Sequence, residues 1–149
     1  MPTAFKKKQV LTLTDKLTNM IMRRGKKSVA RKILADAFEI VQKAGNQYPD
    51  KVLEKAIENL KPRLEVKSKR VGGSNYQIPI EVSPERQLTL ALRWLIGVSK
   101  EKKGQAMAKK LANEILEASK GQGNAVRKRD DVHRMADANK AFAHLAKYF

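Results

Sequence analysis

Asp130, His133 and Asp137 are three and four residues apart, so a helix would carry all three on one face. Nitrogen and oxygen donors placed in this way could hold a metal ion. The same trio also reads as a capping acid, an imidazole and a helical ion pair, which needs only ordinary helix electrostatics. We assign no metal to it. His144 follows His133 by eleven positions, and no nucleophile is spaced to use either ring as a base. Glu54 and Glu58 share a helix face with Lys51 and Lys55 interleaved, a pattern of surface ion pairs. The chain has no cysteine, which excludes disulfides, thiolate metal sites and a thiol nucleophile. These residues define no catalytic constellation and call for no cofactor.

The chemistry that is abundant is phosphate binding. Arg23, Arg24, Lys26 and Lys27 surround Gly25 just before a helix start, where free amides and the helix dipole also favour an anion. The G-x-x-x-x-G-K-[ST] spacing of a P-loop is absent. Lys67, Lys69, Arg70 and Tyr76 flank a Gly72-Gly73 turn, where Arg70 and Tyr76 offer planar surfaces for unpaired bases. Lys102, Lys103, Lys109 and Lys110 form a third group beside Lys100, and Arg127, Lys128, Arg129 and Arg134 a fourth. Lys6, Lys7 and Lys8 form a basic arm at the start.

The chain carries 32 Lys and Arg against 15 Asp and Glu, a net charge of +17 over 149 residues. Residues 1–34 hold ten cations and one acid, whereas residues 35–60 hold three cations and five acids. Solubility needs far less charge, so this excess implies a polyanionic partner, with nucleic acid foremost because clustered cations release its counterions. Aromatic residues make up only 5%, which leaves no platform of several stacked rings. Affinity should therefore be led by phosphates, and recognition by shape.

Helical spacing organises most of the chain. A first helix runs from Asp15 through Leu17, Met20 and Ile21 and stops at Gly25; Ser28 caps a second, which ends at Gly45. A third runs from Asp50 to Pro62. Residues 63–71 and 76–82 then alternate about Gly72-Gly73-Ser74-Asn75, predicting a two-stranded hairpin with a loop of four or slightly more residues and Pro79 either on an edge strand or with its amide position facing solvent. Leu64 and Val66 fall on one side of the first strand, with Glu65, Lys67 and Lys69 on the other. Ser83-Pro84-Glu85 starts a fourth helix, apolar around so much of its circumference that it should be the most buried element, with Trp94 in the core. Gly104 ends it. Met107 to Ala118 forms a fifth, and a sixth opens near Asp130 or Asp131 to bury Val132, Met135, Ala136, Phe142 and Ala146.

The expected architecture is mainly α, a bundle of about six helices with a β-hairpin protruding between the third and fourth. Residues 1–14 form the flexible arm and residues 15–149 one helical domain with its ribbon at about 63–82. No apolar run is long enough to span a bilayer, and no apolar core of signal-peptide length follows the basic start. A membrane surface fits poorly because the large apolar residues are needed inside. Two other classes compete with RNA binding. A DNA-compacting protein would prefer duplex DNA at matched salt, and a hydrolase built on Asp130, His133 and Asp137 would carry stoichiometric metal.

Five stretches narrow this reading: RRGKKS (23–28), VKSKRVGGSNYQIPIEV (66–82), ALRWLI (91–96), MAKKLANEIL (107–116) and DVHRMADANKAFAH (131–144). Together they resemble the bacterial-type ribosomal protein S seven family, in order and at family-like spacing from about residue 15. The resemblance implies a structural constituent of the small ribosomal subunit that binds the 3′ major domain of 16S-type rRNA and nucleates assembly of the subunit head. It also implies a place near exit-site tRNA and the mRNA path, with small-subunit ribosomal proteins nine and eleven as neighbours and no homo-oligomer. The location would be a bacterial cytoplasmic ribosome, or one in a plastid or other organelle. By position, the family's RNA-contacting arm, first interhelix loop and hairpin match Lys6, Lys7 and Lys8, residues 23–28, and Lys67 to Tyr76. Arg134 and Lys140 of the last motif would add RNA contacts while that segment also packs. The start departs from the family: Lys6-Lys7-Lys8 followed by Val10-Leu11-Thr12-Leu13 replaces a denser arginine-rich arm.

Overall fold

The computed structural model describes residues 12–149, so Lys6, Lys7 and Lys8 lie outside the described residues. Six α-helices and a β-ribbon follow in order: α1 (Leu13–Ile21), α2 (Lys27–Lys43), α3 (Pro49–Leu60), β1 (Leu64–Val71), β2 (Ser74–Glu81), α4 (Pro84–Glu101), α5 (Met107–Ser119) and α6 (Asn124–Ala138). A nine-residue 3-10 helix, Lys140–Tyr148, closes the chain. The mainly helical class and the hairpin between the third and fourth helices are as the sequence predicts.

Helix phase builds the core. Ala30, Leu34, Ala37 and Val41 of α2 and Leu53, Ala56, Ile57 and Leu60 of α3 form single inner faces. Both pack against α5, whose Leu111, Ala112, Ile115 and Ala118 are completely buried. The helix α4 buries the most residues, but it shares the centre with α5, which touches α2, α3, α4 and α6. Trp94, only 9% exposed, packs with Val82, Leu90 and Val132 in a smaller cluster that joins the ribbon's root to α4 and α6. It is core, as its helix implied.

Several boundaries differ from expectation. A capping box places Thr12 before α1, its hydroxyl accepting from Asp15 N–H and its own N–H donating to Asp15, so the helix begins two residues before Asp15. Ser28 lies inside the first turn of α2, and Asp50 inside that of α3, where Pro49 leads. The largest shift is in α6. It starts at Asn124, well before Asp130, because Gly123 at φ +98° turns the chain with no side-chain cap to announce it. It also ends at Ala138. Met135 is therefore on the surface at 54% exposure rather than in the core, while Phe142 and Ala146 are partly buried in the 3-10 segment.

The hairpin turn is tighter than predicted. Val71 pairs with Ser74, leaving only Gly72 and Gly73 as the loop, at φ +60° and +84°. Two consecutive left-handed residues suit a two-residue hairpin connection, and glycine adopts them without a Cβ clash. Register puts Glu65 opposite Ile80, Lys67 opposite Ile78 and Lys69 opposite Tyr76. Opposed pairs share a face, and α6 and the 3-10 helix pack on the ribbon. Glu65, Lys67 and Lys69 thus share one face, as the alternation predicts, and Glu65 is buried there, its carboxylate 3.5 Å from Arg86 Nε and 3.8 Å from Lys67 Nζ.

Candidate nucleic-acid interface

The turn between α1 and α2 is the most concentrated outcrop. Arg24 and Gly25 adopt φ +53° and +72° in succession, and the turn closes with Lys26 N–H donating to the Arg23 carbonyl at 3.1 Å. Arg23, Arg24, Lys26 and Lys27 are all exposed and form no ion pair among the described residues. The N-terminus of α2 has no side-chain cap, so its free amides add to the same positive field. Arg31 and Lys32, exposed on the next turn, extend the patch. The (i, i+4) spacing of Lys27 and Arg31 could have placed them in this set from sequence.

The cations of the α4–α5 junction divide into two kinds. Lys103 and Lys109 are exposed without an ion pair among the described residues. Lys102 turns inward, its Nζ 2.6 Å from Oε1 of the completely buried Glu114. The approach is electrostatic rather than a well-aligned hydrogen bond, and neither Glu114 oxygen has a hydrogen-bond partner among the described residues. Lys110 donates to the Lys102 carbonyl at 2.9 Å, so it too fastens the loop.

The helix α6 divides in the same way. Arg127 and Lys128 are exposed, with Arg127 only loosely held by Asn124 Oδ1 at 3.4 Å. With Asp131 they line one side of a groove of about 460 Å³ whose other side is Arg93, Trp94, Gly97 and Glu101 of α4. Sequence reasoning missed Arg93 because it lies within the most apolar helix. Arg129 points the other way: Nη1 donates to the Asn59 carbonyl at the end of α3, and Nη2 pairs with Asp130 at 2.8 Å. Arg134 pairs with Asp131 at 3.1 Å on the surface, and Lys140 is exposed with no ion pair among the described residues.

At the ribbon's tip Arg70 is exposed and forms no ion pair among the described residues, with Lys67 exposed beside Glu65. Lys69 Nζ donates to the Tyr148 carbonyl at 2.6 Å and lies 5.1 Å from the centre of the Phe149 ring. Tyr76 packs on Phe142, with ring centres 5.2 Å apart and planes tilted by 54°. Among the described residues Tyr76–Phe142 is the aromatic pair, while the Phe149 ring meets the Lys69 ammonium.

Two of the three residues that could have held a metal, His133 and Asp130, are otherwise engaged. His133 Nε2 accepts the backbone N–H of Arg63 at 3.0 Å. Partial burial, with the nearby Arg129 and Arg63 charges, lowers the imidazole's pKa against an opposing pull from Asp130. Asp130 is paired with Arg129 and Asp137 is exposed. Among the described residues no three His, Asp or Glu side chains converge on a common point, and no helix is long and apolar enough to cross a membrane.

Cationic outcrops on separate elements, without a catalytic centre among the described residues, coincide with a strong likeness to known proteins. The family model described as ribosomal protein S7p/S5e matches residues 1–140. The small ribosomal subunit protein uS7 of Alkalilimnicola ehrlichii is 53% identical over 132 residues, covering 89% of this chain and 85% of that protein. Its counterpart from Lactobacillus delbrueckii subsp. bulgaricus is 54% identical with the same coverage, and that of Mycoplasma genitalium 49% identical over 90% of this chain and 86% of its own length. The chain belongs to the ribosomal protein S7p/S5e family.

Proposed function

We propose that this chain is a non-catalytic constituent of the small ribosomal subunit that binds the 3′ major domain of its rRNA directly and nucleates assembly of the subunit head in a cytoplasmic ribosome. The observation that carries the reading is the separation of its free cations. The α1–α2 turn, the α4–α5 junction, the α4–α6 groove and the ribbon tip each present exposed Lys or Arg from a different part of a rigid helical body. Such an arrangement can neutralise phosphates on several RNA helices together and hold the junction between them. Free cations such as Arg23, Lys26, Lys103, Lys109 and Lys128 would supply the phosphate contacts. Lys102, Lys110 and Arg129 would chiefly hold the surfaces in shape. The ribbon would reach toward exit-site tRNA and the mRNA path, and ribosomal proteins nine and eleven would be neighbours.

Chemical footprinting of the full chain on naked small-subunit rRNA tests the assignment. Protection should fall in the 3′ major domain, and log K should fall with log salt at a slope of about −5 to −7 if about six to eight phosphates are neutralised. A slope near zero, or preference for duplex DNA in competition at matched salt, would overturn it.

A further inference from the structure

The chain has four Phe, three Tyr and one Trp. Three of these eight, Phe142, Tyr148 and Phe149, lie in the last ten residues, whose 3-10 helix packs on the ribbon. Tyr76 and Phe142 form the inner pair, whereas Tyr148 and Phe149 remain 49% and 53% exposed. A cation attends each outer ring: Lys147 Nζ is 5.3 Å from the centre of Tyr148, and Lys69 Nζ 5.1 Å from that of Phe149. Lys69 also donates to the Tyr148 carbonyl, so one residue of β1 both holds the segment and charges its surface. Phe142, Tyr148 and Phe149 lie past the residues matched by the family model.

We infer that Tyr148 and Phe149, flanked by Lys69 and Lys147, form a stacking site for unpaired bases of single-stranded RNA. This deepens the RNA-binding reading above and rests on it. Exposed aromatic residues gain by covering their apolar surface with a base, and every base offers a π-face regardless of sequence. The two lysines supply charge for the phosphates between successive bases. Duplex RNA, with its bases already stacked, offers the rings nothing comparable. The ribbon thus carries a contact distinct in kind from the phosphate-binding outcrops of the helical body.

The test uses the full chain, a short unstructured ribo-oligonucleotide containing 2-aminopurine, and a perfectly paired RNA hairpin. The parent should quench the 2-aminopurine on binding. The Tyr148→Ala/Phe149→Ala variant should lose about tenfold in oligonucleotide affinity while hairpin affinity changes by less than about twofold. Its salt slope should stay the same, since no phosphate contact is removed. The aromatic exchange Tyr148→Phe/Phe149→Tyr should bind as the parent does. Equal losses on both RNAs, or unchanged oligonucleotide binding, would overturn the stacking site and assign the rings to packing or to a protein contact. A parent that binds neither RNA would instead sink the RNA-binding reading itself.

Discussion

His133 Nε2, on α6, accepts the Arg63 backbone N–H at 3.0 Å and so ties the helix to the root of the ribbon. Only an unprotonated Nε2 can accept, and partial burial beside Arg129 and Arg63 lowers the ring's pKa. The unfolded chain, with an ordinary histidine value of about 6.5, takes up the proton first as pH falls. The stabilisation is therefore complete above about pH 6.5 and is lost as pH falls toward the lowered folded value. Thermal midpoints measured from pH 8 to pH 5 should decline in the parent. In His133→Asn that part of the decline should disappear; an unchanged profile would refute the assignment.

Arg129 and Lys128 are neighbours in sequence with opposite tasks. Removing Arg129 leaves the Asn59 carbonyl, which ends α3, without its charged donor. Arg129→Met should cost about 1.5–3 kcal/mol of stability, the usual range for a hydrogen bond to a charged group, with the salt slope of RNA binding intact. Lys128→Ala should leave stability within about 0.5 kcal/mol and flatten that slope by about 0.9. Denaturant titration and salt-dependent filter binding on both variants decide it.

Lys102, largely buried, and Glu114, fully buried, are partners 2.6 Å apart. Taking away the cation strands a carboxylate in the core. Lys102→Met should destabilise by about 3–5 kcal/mol, and the double variant Lys102→Met/Glu114→Leu should recover most of it, since an apolar pair can replace a buried ion pair at little cost. If the single change instead leaves stability alone and reduces the salt slope, Lys102 is a phosphate contact after all.

These divided roles mark where sequence reading stops. Helix faces, the Pro62 stop and the Gly72-Gly73 turn are local signals, and local signals placed nearly every element. The start of α6 was missed because its first turn, Asn124 to Arg127, is polar apart from Ala125 and Val126 and is entered through an uncapped glycine. Cation clusters were visible, but not which members turn inward: Arg129 finds its acceptor 70 positions away, and Lys69 its own 79 positions away. Composition likewise hid the Tyr76–Phe142 pair, which forms only when the 3-10 helix folds back on the ribbon.

Arg24 occupies a backbone conformation that suits glycine, φ +53°, with its guanidinium in water and no ion pair among the described residues. A left-handed residue with a Cβ costs roughly 1–2 kcal/mol, and among the described residues the Arg24 side chain forms no ion pair or hydrogen bond that would offset it. Strain of this kind persists where the side chain does a job, here the charge it presents beside Arg23, Lys26 and Lys27. Arg24→Gly should raise stability by about 1 kcal/mol while flattening the salt slope by about 0.9. Arg24→Asn, which tolerates the left-handed region better than most residues, should recover part of the stability and none of the slope. A glycine variant that is no more stable than the parent would show that the turn holds no strain, and one with an unchanged slope would remove Arg24 from the interface.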